Sequence, residues 1–230
     1  MAAILFGSIS TIADTSELQR QAFNEAFDAH GLGWHWDRDD YVAMLGESGG
    51  QNRVAAYAAS RGQEVDASAV HRTKSTLFQK KLADTQVPAR PGVVDTLRSA
   101  KSDGVKVALV TTTSAENIAA VIGAMGADLA SADFDLIVDA SDVDRSKPDA
   151  AAYVFALDHL EEEVGDCVAI EDNVDGVTAA VAAGLGCVAF PNENTTGQDF
   201  TAARRVVSLL DFAELRASHT RARHQNGEAS

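Results

Sequence analysis

The sequence is poor in the residues that several common kinds of protein require. Its 230 residues include two cysteines, Cys167 and Cys187, and both fall inside apolar segments. That placement favours reduced core thiols over a disulfide or a metal site. No apolar run approaches the length of a membrane span, and the N-terminus lacks the basic and apolar stretches of a signal peptide. We therefore expect a soluble, cytoplasmic protein.

Basic residues are also scarce. The chain has 34 Asp and Glu against 19 Lys and Arg, which gives a formal net charge of −15. A field of this sign repels nucleic-acid backbones and anionic lipid, so we expect neither nucleic acid nor a membrane as a partner. An anionic small molecule can still bind where cations gather locally. The apolar content of 46% indicates a folded chain with an ordinary core.

Short apolar runs alternate with helical patterns along most of the chain. Strands are predicted at residues 3–6, 105–111, 134–139, 167–170 and 186–190, and helices at 93–102, 115–125, 149–160 and 176–183. Strands that are apolar throughout and separated by helices are typical of a parallel sheet with helices on both faces. The fold class is therefore α/β.

Residues 14–88 do not follow this alternation. A capping box formed by Asp14 and Glu17 predicts a helix that ends at Gly31. A second helix is predicted after Gly49 and Gly50, and a third carries Val70, Leu77, Phe78 and Leu82 on one face. Trp34 and Trp36 are expected to pack between these helices.

The predicted domains follow from this interruption. Residues 14–88 form a helical cap domain inserted after the first strand, and residues 1–13 and 89–218 form the core domain. The tail, residues 219–230, lacks apolar periodicity and is predicted to be disordered.

Polar side chains gather where the predicted strands end. Thr111–Ser114, Lys147 and Glu171–Asp172 each come after an apolar run, and the loop from Gly7 follows the first strand. The carboxyl ends of parallel strands meet at one edge of a sheet, where ligands bind in open α/β proteins. Each group also has a purely structural interpretation: a helix cap, a solvated loop lysine, or acids at the positive end of a helix.

The order of these motifs resembles the haloacid dehalogenase superfamily of phosphohydrolases. The resemblance rests on the first strand with its loop, followed by LVTTTS (109–114), SKPD (146–149) and AIEDNVDGVTAAVAAGL (169–185). The segments TSELQRQAFNEAF, GWHWDRDDY, SGGQNR and VHRTK also look like the CbbY-like branch, close to the β-phosphoglucomutases. The resemblance covers the chain except its tail. It implies a Rossmannoid parallel sheet with a helical cap, and a sugar phosphate such as xylulose bisphosphate as the ligand.

The first motif departs from the superfamily pattern, which reads Asp-x-Asp-Gly-Thr. Here the two aspartate positions are Gly7 and Ile9, and Gln19 replaces a frequent histidine. In the superfamily the first aspartate is the nucleophile and a magnesium ligand, and the second is the acid and base. Glycine has no carboxylate to attack phosphorus, and isoleucine cannot transfer a proton. A rate loss on the order of 10³ to 10⁶ is expected.

Ser8 and Asp14 are the nearest groups that could replace the missing carboxylates. Alternation along an extended segment aims Ser8 away from the direction in which position 7 points. Asp14 matches a different family position near the cap hinge. Neither is therefore expected to act as the nucleophile.

The resemblance assigns roles to the retained residues. Thr111 and Lys147 are the retained catalytic positions, and Glu171 and Asp172 are the magnesium ligands. Mg²⁺ should bind only weakly, because the motif-one carboxylates that would complete its site are missing. Alternatively, Lys147 pairs directly with one of these acids and closes the pocket. Candidate substrate contacts are Glu17, Gly49, Gly50, Arg53, Lys74 and Thr112, with His71 and Arg72 as further cations.

Three interpretations of function remain open. The first is a catalytically inactive binding, regulatory or assembly protein that holds a sugar phosphate or a protein partner. The second is a magnesium-dependent phosphatase in which water attacks the phosphate directly. The third, deliberate inactivation of an active parent, is less natural because a single Asp→Asn change usually suffices. The loss of both aspartates beside otherwise matching motifs favours the first.

Overall fold

The structure is a computed structural model that describes residues 1–46 and 49–227. Within this part of the chain, six strands form one parallel sheet in the order β3-β2-β1-β4-β5-β6. The strands are β1 (Ala3–Phe6), β2 (Lys106–Val110), β3 (Leu136–Val138), β4 (Cys167–Glu171), β5 (Gly186–Ala189) and β6 (Arg205–Val206). The predicted α/β fold is confirmed. The short edge strand β6 was not predicted.

Ten α-helices and two short 3-10 helices complete the described residues. The α-helices are α1 (Ile9–Ile12), α2 (Ser16–Ala29), α3 (Arg38–Ala43), α4 (Gly50–Ser60), α5 (Ala67–Ala83), α6 (Val93–Ser102), α7 (Ala115–Ala124), α8 (Ala151–Leu160), α9 (Val174–Ala182) and α10 (Phe212–Gly227). The 3-10 helices are Ser131–Asp133 and Val164–Asp166. None of the helices in these residues has the length and apolar character needed to cross a membrane.

The central strand β1 shows why the sheet is covered on both faces. Its side chains alternate, so Ile4 and Phe6 point into a core shared with α6, α7 and α10. Ala3 and Leu5 point into the opposite core, which α8 and α9 cover. Both faces are apolar, as expected for a parallel sheet buried between helical layers.

Helices α2 to α5 are inserted in the chain after β1 and α1, and they have an aromatic core of their own. Trp36 is fully buried, and its ring lies 4.5 Å from that of Phe27. Trp34 donates through Nε1 to Gln63 Oε1 at 2.8 Å. The tryptophans therefore pack between these helices, as predicted. The chain leaves and re-enters the sheet region side by side, where Ala13 and Ala89 form an antiparallel bridge.

The predicted capping box at the start of α2 is wrong. The N-cap residue is Thr15, which makes no side-chain cap hydrogen bond. Asp14 Oδ1 instead accepts from the backbone N–H of Ser16 at 3.1 Å. The Glu17 carboxylate turns away from the helix start because it pairs with the guanidinium of Arg20.

The disorder predicted for residues 219–230 is wrong for residues 219–227, which belong to α10. The helix packs through Leu215, which is fully buried, and His219 is buried one turn further along. The helix continues from these contacts to Gly227 although its sequence lacks apolar periodicity. Residues 228–230, and Ser48 of the SGGQNR motif, lie outside the described residues.

Candidate active site

Strand register brings the first, second and fourth strands to a common edge. Phe6 of β1 is level with Leu109 of β2 and Ile170 of β4. The next residues along the chain, Gly7 and Glu171, therefore lie side by side where these strands end. The helices that follow carry the chain away from the edge and leave the loops facing a cleft.

The cleft has a volume of about 830 Å³ and lies between the sheet edge and helices α4 and α5. Nearly all the site residues singled out in the sequence line it, namely Gly7, Ile9, Gly49, Gly50, Arg53, His71, Arg72, Lys74, Thr111, Thr112, Lys147 and Asp172. Glu17 lines a separate cavity of about 520 Å³ with Arg20 and Arg38. Glu171 is fully buried beneath the edge.

Gly7 has no space for a side chain in this structure. A Cβ atom built on Gly7 would lie 2.1 Å from Glu171 Oε1 and 2.3 Å from the hydroxyl of Tyr153. The Glu171 carboxylate also presses against Gly176, where an added Cβ would lie 2.1 Å from Glu171 Cδ. Glu171 and Tyr153 thus fill the position where a carboxylate at residue 7 would begin.

Lys147 is the cation that balances Glu171. Its Nζ lies 2.6 Å from Glu171 Oε1, and both side chains are buried. Nζ also donates to the carbonyl oxygen of Val110 at 2.8 Å and to that of Gly7. An ammonium has three protons to donate, so these three acceptors use all of them. The direct pairing of Lys147 with one of the two acids, one of the alternatives raised by the sequence, is present in the structure.

Tyr153 completes the buried group. Its hydroxyl donates to Glu171 Oε1 at 2.7 Å, and its ring lies 4.5 Å from Lys147 Nζ. Burial raises the pKa of Glu171, and the neighbouring charge of Lys147 partly offsets that shift. Burial also raises the pKa of Tyr153, so this hydroxyl stays protonated and remains a donor.

Asp172 faces the cleft but both of its oxygens accept hydrogen bonds. Oδ1 accepts from the hydroxyl of Ser8 at 2.7 Å and from the amide of Asn173 at 3.0 Å. Oδ2 accepts from Nδ2 of Asn192 at 2.8 Å. The Thr195 hydroxyl donates to the backbone oxygen of Asp172 at 2.6 Å, which fixes the following loop.

The two acids do not fit the magnesium site that the resemblance implies. Mg²⁺ requires several hard oxygen ligands in near-octahedral geometry. Position 7 supplies no carboxylate, and Glu171 is turned into its ion pair with Lys147. In the part of the chain that the structure describes, no group of three or more His, Cys, Asp or Glu side chains is placed to hold a metal ion.

The opposite wall of the cleft carries a buried lysine on α5. Lys74 Nζ donates to Gln19 Oε1 at 3.0 Å and lies 4.9 Å from the ring centre of Phe23. Burial, with a smaller contribution from Arg53, lowers the pKa of Lys74 to about 7. Burial, followed by the charges of Lys74 and Arg53, lowers the pKa of His71 to about 4. Lys74 therefore titrates near neutral pH, whereas His71 is neutral there.

Helix α4 begins beside these side chains. Its N-cap residue Gly49 has a φ of 94°, which favours glycine. A Cβ on Gly50 would lie 2.7 Å from His71 Nε2, so glycine is needed for this close approach. Arg53 lies in the first turns of the helix, where its Nε donates to the backbone oxygen of Met44 at 2.9 Å.

Sequence reasoning missed several residues of the site. Tyr153 lies six residues after Lys147 on a predicted helix, so its position on the sheet-facing side of that helix was a usable signal. Asn192 and Thr195 lie in a loop, where no periodicity marks them. Ser8 has an extended backbone, and its side chain does not point at Glu171 and Tyr153, the groups that a side chain at position 7 would meet. Ser8 instead points to Asp172 and caps α1.

Residues 1–184 match the haloacid dehalogenase-like hydrolase family. The chain belongs to this family of hydrolases, which confirms the family predicted from its motifs. Among individual proteins it is similar to CbbY of Cereibacter sphaeroides, with 38% identity over 219 residues that cover 93% of each chain. It is also 36% identical to CbbY of Rhodobacter capsulatus, over 94% of this chain and 96% of the relative.

Solved structures agree with this placement. The crystal structure of CbbY from Rhodobacter sphaeroides in complex with phosphate matches with a TM-score of 0.84 at 36% identity, covering 94% of this chain and 96% of that one. A mutant of the same protein in complex with xylulose-(1,5)bisphosphate matches equally well. The structure of β-phosphoglucomutase from Clostridium difficile matches with a TM-score of 0.78 at 19% identity, covering 96% of this chain and 98% of that one, and shares the fold.

Proposed function

We propose that this chain is a non-catalytic member of its family that binds a sugar phosphate in the cleft. The observation that carries the proposal is the environment of Gly7. The space for a side chain there is filled by the Glu171 carboxylate and the Tyr153 hydroxyl. No carboxylate therefore stands where the nucleophile of the family would begin, and a covalent phosphoryl intermediate cannot form at this position.

Acid and base assistance is also missing at the position two residues further on. Ile9 is buried and apolar, so it can neither protonate a leaving group nor activate water. Lys147, whose protons are all donated within the protein, has none left for a phosphoryl oxygen. These two features support loss of turnover rather than a modified reaction.

The cleft itself supports binding of a phosphorylated ligand. Arg53, Arg72 and Lys74 supply cations at one end, in a chain whose net charge is −15. Thr111, Thr112 and the residues after them supply hydroxyls at the other end. Because a relative with 36% identity was crystallised with xylulose-(1,5)bisphosphate, we propose a sugar bisphosphate of that kind as the ligand.

The proposal extends to cofactor, partner and location. Mg²⁺ binds weakly at most, since Glu171 is engaged by Lys147. A regulatory or assembly role in the cytoplasm, with a protein as the second partner, accounts for a retained cleft without turnover. The alternative, a slow magnesium-dependent hydrolase of xylulose bisphosphate, needs both acids on one metal ion, and the Lys147–Glu171 pair opposes that arrangement.

Two measurements test the proposal. Calorimetric titration with xylulose 1,5-bisphosphate measures binding, and an assay of phosphate release measures turnover. We expect saturable binding without release by the full chain. Lys74→Met should weaken binding, whereas Lys80→Met, an exposed position on the same helix, should not. The absence of binding, or release that scales with protein concentration, would contradict the proposal.

A further inference from the structure

Two acidic side chains lie next to each other at this sheet edge, Glu171 beneath the cleft and Asp172 facing it, and both are buried. Buried carboxylates require a cation or several donors, because burial disfavours the charged form. We propose that Lys147, rather than a divalent cation, fills this requirement permanently. The site then neither needs nor retains a metal, and it takes a phosphate group without one.

The position of the lysine supports this inference. Lys147 Nζ contacts Glu171 Oε1 directly and is also held by the carbonyl oxygens of Gly7 and Val110. All three acceptors come from neighbouring strand ends, so the ammonium occupies the centre of the sheet edge. A metal ion would reach Glu171 Oε1 only by displacing an ammonium whose hydrogen bonds are all made inside the protein.

Glycine at position 7 makes this arrangement possible. The Glu171 carboxylate rests where a side chain at position 7 would begin, and Tyr153 holds it there with a hydrogen bond of 2.7 Å. A second carboxylate at position 7 would add a negative charge beside Glu171, whose counter-ion Lys147 is already paired. The missing aspartate and the buried ion pair are therefore parts of one arrangement.

The Asp172 carboxylate has its own hydrogen-bond donors, which differ from those of Glu171. Ser8, Asn173 and Asn192 donate to its two oxygens. Arg90 lies behind the loops and donates to the backbone oxygens of Ser10 and Phe190 at 3.0 and 2.7 Å. Burial lowers the pKa of Arg90, and the charge of Asp172 partly offsets that shift. Glu171 therefore has Lys147 as its counter-ion, and both oxygens of Asp172 are occupied by neutral donors.

The consequence for the ligand rests on the proposed function. A phosphate group in this cleft would contact the hydroxyls of Thr111 and Thr112 and the cations of the cap wall. No bridging metal ion enters that set of contacts. Phosphate affinity should therefore be the same with Mg²⁺ and with a chelator.

Electron paramagnetic resonance of Mn²⁺, a spectroscopic substitute for Mg²⁺, tests the metal directly on the full chain. We expect the signal of free Mn²⁺ to be undiminished by the unmodified protein. Lys147→Met removes the internal cation and should bind Mn²⁺ about tenfold more tightly or better, whereas Lys80→Met should not. Glu171→Gln keeps Lys147 and should leave the Mn²⁺ signal of the unmodified protein unchanged.

Two results would overturn the inference. One is tight Mn²⁺ binding by the unmodified chain that Glu171→Gln abolishes, a result that does not depend on whether Lys147→Met folds. The other is inorganic phosphate that binds in calorimetry only when Mg²⁺ is present. If the chain binds neither Mn²⁺ nor phosphate, the proposed function fails, while the metal-free centre is supported.

Discussion

Lys147 and Glu171 form an ion pair, 2.6 Å from Nζ to Oε1, directly beneath Gly7. The side chain of Glu171 is wholly buried, and that of Lys147 is 6% exposed. The pair lies beside position 7, which corresponds to the family's nucleophile, and it includes Glu171, which the resemblance identifies as a metal ligand. Its strength and its dependence on Gly7 can both be measured.

Removing one partner of this pair should strongly destabilise the fold. Lys147→Met leaves the Glu171 carboxylate buried without a counter-ion, which typically costs about 3 to 5 kcal/mol. The double variant Lys147→Met/Glu171→Leu removes both charges and should recover most of that loss. Urea unfolding measures the three free energies. If the double variant is as unstable as the single one, the pair is not the source of the effect.

Gly7→Ala should destabilise the protein although the backbone at Gly7 is not in the left-handed region. The added Cβ meets Glu171 and Tyr153, and overpacking of this kind costs about 1 to 3 kcal/mol. In a Tyr153→Phe background the hydroxyl contact is gone, so the same alanine should cost less. A double-mutant cycle measured by urea unfolding gives the coupling. Strictly additive losses would show that position 7 and Tyr153 do not compete for space.

Burial of Lys74 should make stability depend on pH in a defined direction. Its folded pKa of about 7 lies below the ordinary value of 10.5, so between these values the folded state binds fewer protons than the unfolded state. Stability should therefore rise with pH across this window. The difference in unfolding free energy between the unmodified chain and Lys74→Met, measured across this pH range, separates the contribution of Lys74 from those of other groups. A pH-independent difference would contradict the shift.

The same lysine should make anion binding depend on pH in the opposite direction. Lys74 is charged below pH 7 and increasingly neutral above it, so affinity for an anion in the cleft should fall between pH 6 and 8.5. Sulfate is the suitable probe, because it does not titrate in this range. Calorimetry should show a falling affinity for the unmodified chain and a weak, flat one for Lys74→Met. A flat profile for both would place the anion elsewhere.

Much of the fold could be predicted because the sheet is buried on both faces. Runs such as Ala3–Phe6 and Gly186–Ala189 are apolar throughout, and helices such as Val93–Ser102 stop before a glycine with positive φ, here Gly104. These signals are local and strong. The edge strand Arg205–Val206 lacks them, because among the described residues it pairs only with Gly186–Ala189.

The site was predictable in membership but not in its arrangement. Motif order located Thr111, Lys147 and Asp172 at one sheet edge, and register places them there. Which acid Lys147 would pair with depends on the rotamer of Glu171 and on the Tyr153 hydroxyl, which α8 brings to the same carboxylate. Such contacts arise only from the tertiary packing of residues distant in sequence, and no spacing rule encodes them.

The central claim, binding without turnover, is tested most directly by phosphorus NMR of the full chain mixed with xylulose 1,5-bisphosphate. The account predicts that the ligand's two phosphorus resonances shift or broaden with protein concentration while no signal of inorganic phosphate grows over hours. Growth of inorganic phosphate in proportion to the protein, abolished by Asp172→Ala, would contradict it and establish a hydrolase that works without its family's nucleophile.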